Sequence, residues 1–327
     1  MPHPSIGFIG LGIMGEGMAG RLISRGVAAG SSNEVPPLVV YNRTASKCDD
    51  MISRYPNCNI VVKKTAREVV ECCSIVFSML STPEASRAVF DGDDGALAGV
   101  SSGKFIIDCA TLAVSDMTGM DERVRSRGGQ FLEAPVSGSK GPAHLGQLIF
   151  LCAGSEIVYN DPIVRSSLNA MGKAMHYFGP EVGRGTRAKL AINSLMGTMM
   201  AAFGECLALA TAVGLDGNAI LDVIGQSAIQ CPMYALKGPK MLRDDHDANF
   251  PLRHAHKDMR LAVDMAGDAG VAYAVTECAE GAFRRARDDA GLNVADRDFS
   301  AVFESILREG SKGGGEISTT RGKERDG

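Results

Sequence analysis

Apolar positions along the chain follow two regimes. In the first, short apolar runs recur at Ser5 to Ile9, Leu38 to Tyr41, Ile60 to Val62, Ser74 to Leu80 and Phe105 to Ile107. Segments with helical spacing separate them: Gly15 to about Val27, Ala45 to Arg54, Thr65 to Glu71, Pro83 to Phe90 and Val114 to Arg127. Short runs apolar throughout, each followed by a helix, predict a parallel sheet covered on both faces. Gln130 to Ala134, Leu148 to Cys152 and Ala174 to Phe178 extend the strand pattern, with a single helix expected over Glu156 to Met171.

The second regime begins near Gly183-Arg184-Gly185. From Thr186 to Gly214 the chain is almost all helix formers and apolar residues, and no convincing strand follows. Asn218 to Ser227, Met233 to Leu242, His254 to Ala269, Val275 to Asp289 and Phe299 to Leu307 read as helices. The stretch Leu190 to Leu215 is long enough to span a bilayer. Asn193, Ser194, Thr198, Glu205 and several glycines interrupt it, so no membrane segment is expected. A long helix buried between two domains or two subunits fits better, and with it a homodimer or homotetramer. The tail from about residue 310 is Gly-rich and mixed in charge, the composition of a disordered segment.

The composition is that of a globular chain, with 45% apolar and 22% charged residues among 327. Lys and Arg total 34 against 38 Asp and Glu. A general nucleic-acid binder carries a basic excess, so none is expected here. The nine cysteines include no CxxC pair and no zinc spacing, and read as reduced, mostly buried thiols. His254 and His256 lack a third ligand, so no metal is expected. The first residues show no signal core or presequence, which points to the cytoplasm, or to an organelle if a transit peptide was removed.

Gly10-x-Gly12-x-x-Gly15 directly follows a strand and opens a helix. In that setting the first glycine makes the tight turn, the second admits a pyrophosphate and the third lets helix and strand pack closely. The helix N-terminus adds free N–H groups and the positive end of a dipole. Gly10, Leu11, Gly12, Ile13, Met14 and Gly15 are therefore candidate cofactor contacts. An NAD site usually has an acid at the end of the second strand, to hold the ribose 2′-OH. Here that strand ends in Tyr41-Asn42-Arg43-Thr44. Arg43, flanked by Asn42 and Thr44, suits a 2′-phosphate, so NADP(H) is the expected cofactor. The fold expected is α/β: a Rossmann-type doubly wound domain over 1–182, an interdomain helix over 183–214 and an all-α domain over 215–309.

Lys189 and Asn193, four residues apart, share one face of the long helix. Polar groups in such an apolar helix call for a reason. A lysine ammonium is already in the acid form needed to protonate a carbonyl oxygen during reduction, and Asn193 could orient it.

Four motifs in order resemble the β-hydroxyacid dehydrogenases, the family that includes 3-hydroxyisobutyrate dehydrogenase. They are Gly7 to Gly15, Ala134-Pro135-Val136-Ser137-Gly138, Gly183-x-Gly185-x-x-x-Lys189-x-x-x-Asn193 and Lys257-Asp258. Val136 to Lys140, Gly146-Gln147-Leu148, Phe250 to His254, Lys257 to Ala262 and Asp298 to Val302 are similar to the plant-type glyoxylate/succinic semialdehyde reductases within it. The resemblance implies NADPH-dependent reduction of a small carboxylated aldehyde, with Lys189 as catalytic lysine and Asn193 beside it. It implies that Ser137 and Gly138 hold the substrate carboxylate, that Thr111 lies near nicotinamide and substrate, and that Phe250 and Asp258 complete the substrate site. Lys257 and Met79-Leu80-Ser81 would touch the cofactor. Ala110 stands where the family commonly has Ser, and Gly30 to Pro37 is a longer loop than expected. Two other readings remain: oxidation of 3-hydroxyisobutyrate or another β-hydroxyacid with NAD(P), and a non-catalytic NADP-binding scaffold.

Overall fold

The computed structural model describes residues 5–28 and 36–313. Six strands pair in parallel: β1 (Ile6–Ile9), β2 (Leu38–Tyr41), β3 (Ile60–Val62), β4 (Ile75–Ser78), β5 (Phe105–Asp108) and β6 (Gln130–Glu133). Their order is β3-β2-β1-β4-β5-β6, so the winding reverses between β1 and β4. Ligands of doubly wound sheets bind outside the strand ends at such a reversal. Alternate residues feed separate cores. Ile6, Phe8, Leu38, Val40 and Phe77 enter one, and Ile9, Val39, Val76, Ile106 and Phe131 the other. That two-sided burial is why these strands read as unbroken apolar runs.

Helices α1 (Gly15–Ser24), α2 (Ser46–Arg54), α3 (Ala66–Cys72), α4 (Pro83–Phe90) and α5 (Val114–Arg125) follow the first five strands. Thr65 and Thr82 cap α3 and α4 by accepting from Glu68 and Ala85 N–H, both at 3.1 Å, contacts worth about 1 kcal/mol each. α1 stops short of Val27 because Gly26 turns the chain at φ +66°.

Beyond β6 the expectations need correction. β7 (Val136–Ser137) and α6 (Lys140–Leu145) appear where no element was expected, and β8 (Leu148–Gly154) runs antiparallel to both β6 and β7. The single helix over 156–171 is two, α7 (Glu156–Asn160) and α8 (Pro162–Met171). Pro162 forces Asp161 out of the helical region, and the Asp161 carboxylate then caps α8 through Ile163 and Val164 N–H. β9 (Gly172–Tyr177) adds to β8 in parallel.

The chain forms two compact units that divide after Ile192, inside α9 (Arg184–Ala212). α9 is long and apolar enough to cross a bilayer by length and composition. In the second unit its Met200, Phe203 and Leu207 join Leu252, Met259, Phe283 and Val302 in one core. α10 (Gly217–Gln226), α11 (Pro232–Leu242), α12 (Leu252–Asp268), α13 (Ala274–Asp288) and α14 (Val302–Gly313) complete that unit, whose described residues hold no strand, only a two-residue bridge between Pro251 and Asp298. α14 carries order to Gly313, past the expected start of the tail; residues 314–327, and 30–35 of the long loop, lie outside the described residues. All nine thiols are free, but only Cys48, Cys73, Cys109 and Cys152 are buried, fewer than expected.

Candidate active site

A cleft of about 240 Å³ opens at the C-terminal ends of β1, β2 and β4. Gly10, Leu11, Gly12, Asn42, Arg43, Thr44, Met79, Leu80 and Ser81 all line it, whereas Ile13, Met14 and Gly15 do not. The three glycines differ in what they permit. Gly10 sits at φ +96°, and a Cβ there would fall 2.4 Å from the Met79 carbonyl oxygen. A Cβ on Gly15 would fall 1.9 Å from the Gly10 carbonyl oxygen. A Cβ on Gly12 would meet nothing within 4 Å, because Gly12 faces open cleft. The loop thus has room for a pyrophosphate against its backbone and a helix N-terminus behind it, and the residues fit a dinucleotide.

The end of β2 carries an amide and an arginine and no acid. Asn42 spends its Oδ1 on Leu11 N–H at 2.9 Å and its Nδ2 on the Thr44 carbonyl at 2.9 Å, bracing the phosphate loop. Arg43, Thr44, Ser46 and Lys47 are exposed. Arg43 makes no hydrogen bond or ion pair among the described residues.

Two buried carboxylates that sequence reasoning missed stand side by side at the ends of β5 and β6, where Asp108 pairs in register with Glu133. Asp108 accepts from Ser78 Oγ at 3.0 Å and from Ala110 N–H at 2.8 Å, and so shapes the loop that presents Thr111. α5 starts after Ala113, whose N–H is held by the Asp116 carboxylate at 3.2 Å. Burial pushes the Asp108 carboxyl from 3.8 up to about 6, against those two hydrogen bonds. Between these values the folded protein holds a proton that the unfolded chain has released, so stability falls as pH rises from about 4 to 6. Removing this charge is worth up to about 3 kcal/mol above pH 6. Asp108→Asn keeps an acceptor for Ala110 N–H. We expect it to raise Tm at pH 8 and to lose that advantage by pH 4; a variant less stable than the parent at pH 8 contradicts the assignment.

Ser137 is half-buried at the end of β7, and Gly138 follows at φ +135°, where a Cβ would fall 2.7 Å from Leu148 Cδ2. Lys189 lies in the second turn of α9 with only 5% of its surface exposed. Glu133 reaches the start of that helix. Its Oε1 accepts from Gly183 and Gly185 N–H at 2.6 and 2.8 Å, and its Oε2 from Thr186 N–H and Oγ1 at 3.2 and 2.5 Å. Burial raises the Glu133 carboxyl above its ordinary value, opposed by all four donors.

The remaining expected residues belong to the second unit. Asn193 and Asp258 are buried, and Asn193 Nδ2 donates to Asp258 Oδ2 at 2.7 Å. Lys257 Nζ meets the other Asp258 oxygen at 3.0 Å. The three residues expected separately thus form one polar chain, with Asp258 at its centre. Phe250 packs edge-on to Phe299 at 5.7 Å. Its N–H and that of Asn249 donate to Asp298 Oδ2 at 3.3 and 3.0 Å, while Asp298 Oδ1 pairs with buried Lys237 at 2.7 Å. His256 is spoken for by Glu280 at 2.7 Å and Arg287 at 2.9 Å.

A doubly wound sheet with an open glycine loop at its reversal point, followed by a helical unit, defines a nicotinamide-dinucleotide-dependent oxidoreductase. Residues 5–179 match the NAD-binding domain of 6-phosphogluconate dehydrogenase, and residues 183–306 match the NAD-binding domain of NADP-dependent 3-hydroxyisobutyrate dehydrogenase. The chain belongs to the β-hydroxyacid dehydrogenase family. It is 41% identical to glyoxylate/succinic semialdehyde reductase 2, chloroplastic, of Arabidopsis thaliana, over 92% of this chain and 79% of that one. Glyoxylate/succinic semialdehyde reductase 1 of the same plant is 38% identical, over 92% and 98%. Among solved structures it resembles Psf3 in complex with NADP+ and 2-OPP, with a TM-score of 0.80 at 24% identity over 92% and 99% of the two chains.

Proposed function

We propose that the chain reduces small aldehyde-acids with NADPH, glyoxylate to glycolate and succinic semialdehyde to 4-hydroxybutyrate, with Lys189 as the proton donor. The observation that carries this is the buried lysine in an otherwise apolar helix of the unit that holds the nucleotide cleft. The names of the two plant relatives supply the substrate class. NADPH bound along Gly10 to Gly12 supplies the hydride. The protein's own part is to hold the aldehyde and deliver a proton. The Ser137 hydroxyl and Gly138 N–H grip the substrate carboxylate, and Lys189 Nζ gives its proton to the carbonyl oxygen. Thr111 narrows the space around it.

NADPH over NADH follows from Arg43, which stands unpaired where an acid would otherwise hold a ribose hydroxyl. A guanidinium meets a phosphate through two parallel charge-assisted bonds. Arg43→Ala should therefore weaken NADPH by roughly 10- to 100-fold, the loss of one such contact, and leave NADH unchanged. Initial rates with both cofactors on glyoxylate, succinic semialdehyde and 3-hydroxyisobutyrate test the whole reading. The family match over residues 183–306 favours 3-hydroxyisobutyrate oxidation as the second reading. A marked NADH preference, or rates only with the β-hydroxyacid, would establish it instead. Tight NADPH binding without turnover on any of these substrates would point to a non-catalytic scaffold.

We also propose a homodimer or homotetramer. Leu195, Met199, Ala202, Cys206 and Leu209 recur on α9 at four- and three-residue steps, the spacing of a helix–helix seam, and Val213 continues the step just past its end. Leu195, Leu209 and Val213 are more than 60% exposed. Sedimentation at micromolar concentration that gives a monomer mass removes this proposal.

A further inference from the structure

We infer that Glu133 is a positioning residue for Lys189, acting through the first turn of α9. The inference rests on reading Lys189 as the proton donor. The first N–H groups of a helix have no partner within it. α9 lacks a Ser, Thr, Asp or Asn at its start to supply one locally; the chain there reads Val182-Gly183-Arg184. The acceptor comes instead from the end of β6, 50 to 53 residues upstream. One carboxylate takes the N–H groups of Gly183, Gly185 and Thr186 together with the Thr186 hydroxyl.

The glycines of the Gly183-x-Gly185-x-x-x-Lys189 motif now have a reason. Gly183 turns into the helix at φ +102°. A Cβ on Gly185 would fall 2.2 Å from the Leu151 carbonyl oxygen and 3.3 Å from Glu133 Cδ. The helix start is therefore pressed against the sheet, and the carboxylate fixes its height and rotation. Lys189 stands about one turn further on, roughly 6 Å along the axis. Four residues after Glu133 on the other side comes Ser137, so one short segment sets both the lysine and the proposed carboxylate grip. A local hydroxyl cap would stabilise the helix without burying a charge. The remote carboxylate adds a fixed link between the end of β6 and the helix that carries the acid.

Glu133→Gln keeps the side chain's shape and one acceptor oxygen but turns an NH2 group towards donors. Turnover should fall, since misplacing a reacting group by about 1 Å can cost roughly 100-fold, while NADPH affinity stays as in the parent. Glu133→Asp, which keeps the charge, should recover part of the loss. The decisive measurement is kcat in two backgrounds. If Glu133 acts through the lysine, Glu133→Gln costs nothing further once Lys189→Met is present. Equal proportional losses in both backgrounds, or an unchanged kcat in Glu133→Gln alone, overturn the inference. So does failure of both Glu133 variants to bind NADPH, which assigns the carboxylate to folding. Parental turnover in Lys189→Met alone defeats the proton-donor reading itself and takes this inference with it.

Discussion

Lys189→Ala is expected to lower kcat for aldehyde reduction by about 1,000-fold, within the range a positioned general acid supplies. The physical case is the cost of the residue's location. Burying a lysine is costly, because its charge loses water and its long side chain loses freedom. Here it is 5% exposed in a helix made mostly of Ala, Leu, Met and Gly. Lys189→Met keeps the volume and removes the ammonium group, so it should lose nearly as much turnover. NADPH titration by nicotinamide fluorescence reads the cofactor site independently and should give the parental affinity for both variants, since the cleft is built from β1, β2 and β4. A Lys189→Met enzyme within tenfold of the parent would show that water or another side chain supplies the proton.

Gly15→Ala should abolish useful cofactor binding. A methyl there would lie 1.9 Å from the Gly10 carbonyl oxygen, well inside contact distance, and both partners are backbone. Gly10 cannot yield easily, since its φ is positive and the Met79 carbonyl oxygen lies only 2.4 Å from where a Cβ on Gly10 would stand. The loop must deform, and deformation displaces the N–H groups meant for the pyrophosphate. Loss of two charge-assisted hydrogen bonds corresponds to roughly 100-fold or more in NADPH Kd, with a lower Tm from the strain. Gly12→Ala separates binding from folding. Its methyl meets nothing in the protein, so Tm should hold while NADPH weakens, because the methyl stands where phosphate oxygens approach. Calorimetric titration and thermal melts of the two variants check this; parental NADPH affinity in Gly15→Ala would remove the phosphate-loop assignment.

Much of the first unit is legible in the chain because its signals are local. The glycine loop sits between an apolar run and a helix within about ten residues, and the missing acid after β2 is visible in Asn42-Arg43-Thr44. Errors fall where neighbours decide. Asp161-Pro162 splits a helix that apolar spacing alone joins, though Pro after Asp is a readable start signal. β7 is only two residues long, so no periodicity could show it. The reversal of β8 against β6 leaves no trace in either strand's composition, since both are buried on both faces.

The sequence by itself determined the nucleotide loop, the apolar strands that hold it, and a lysine and an amide four residues apart on one helix. Each of these depends on residues close together along the backbone, where steric rules and helical or strand periodicity act directly. Only the tertiary structure decided that Asp108 shapes the loop before Thr111 from deep burial, that Asp258 joins Asn193 to Lys257, and that Glu133 caps α9. In the last two cases the partners lie 65 and 52 residues apart. A carboxylate's role is set by which donors surround it and how little water reaches it. Neither can be read from its immediate neighbours in the chain.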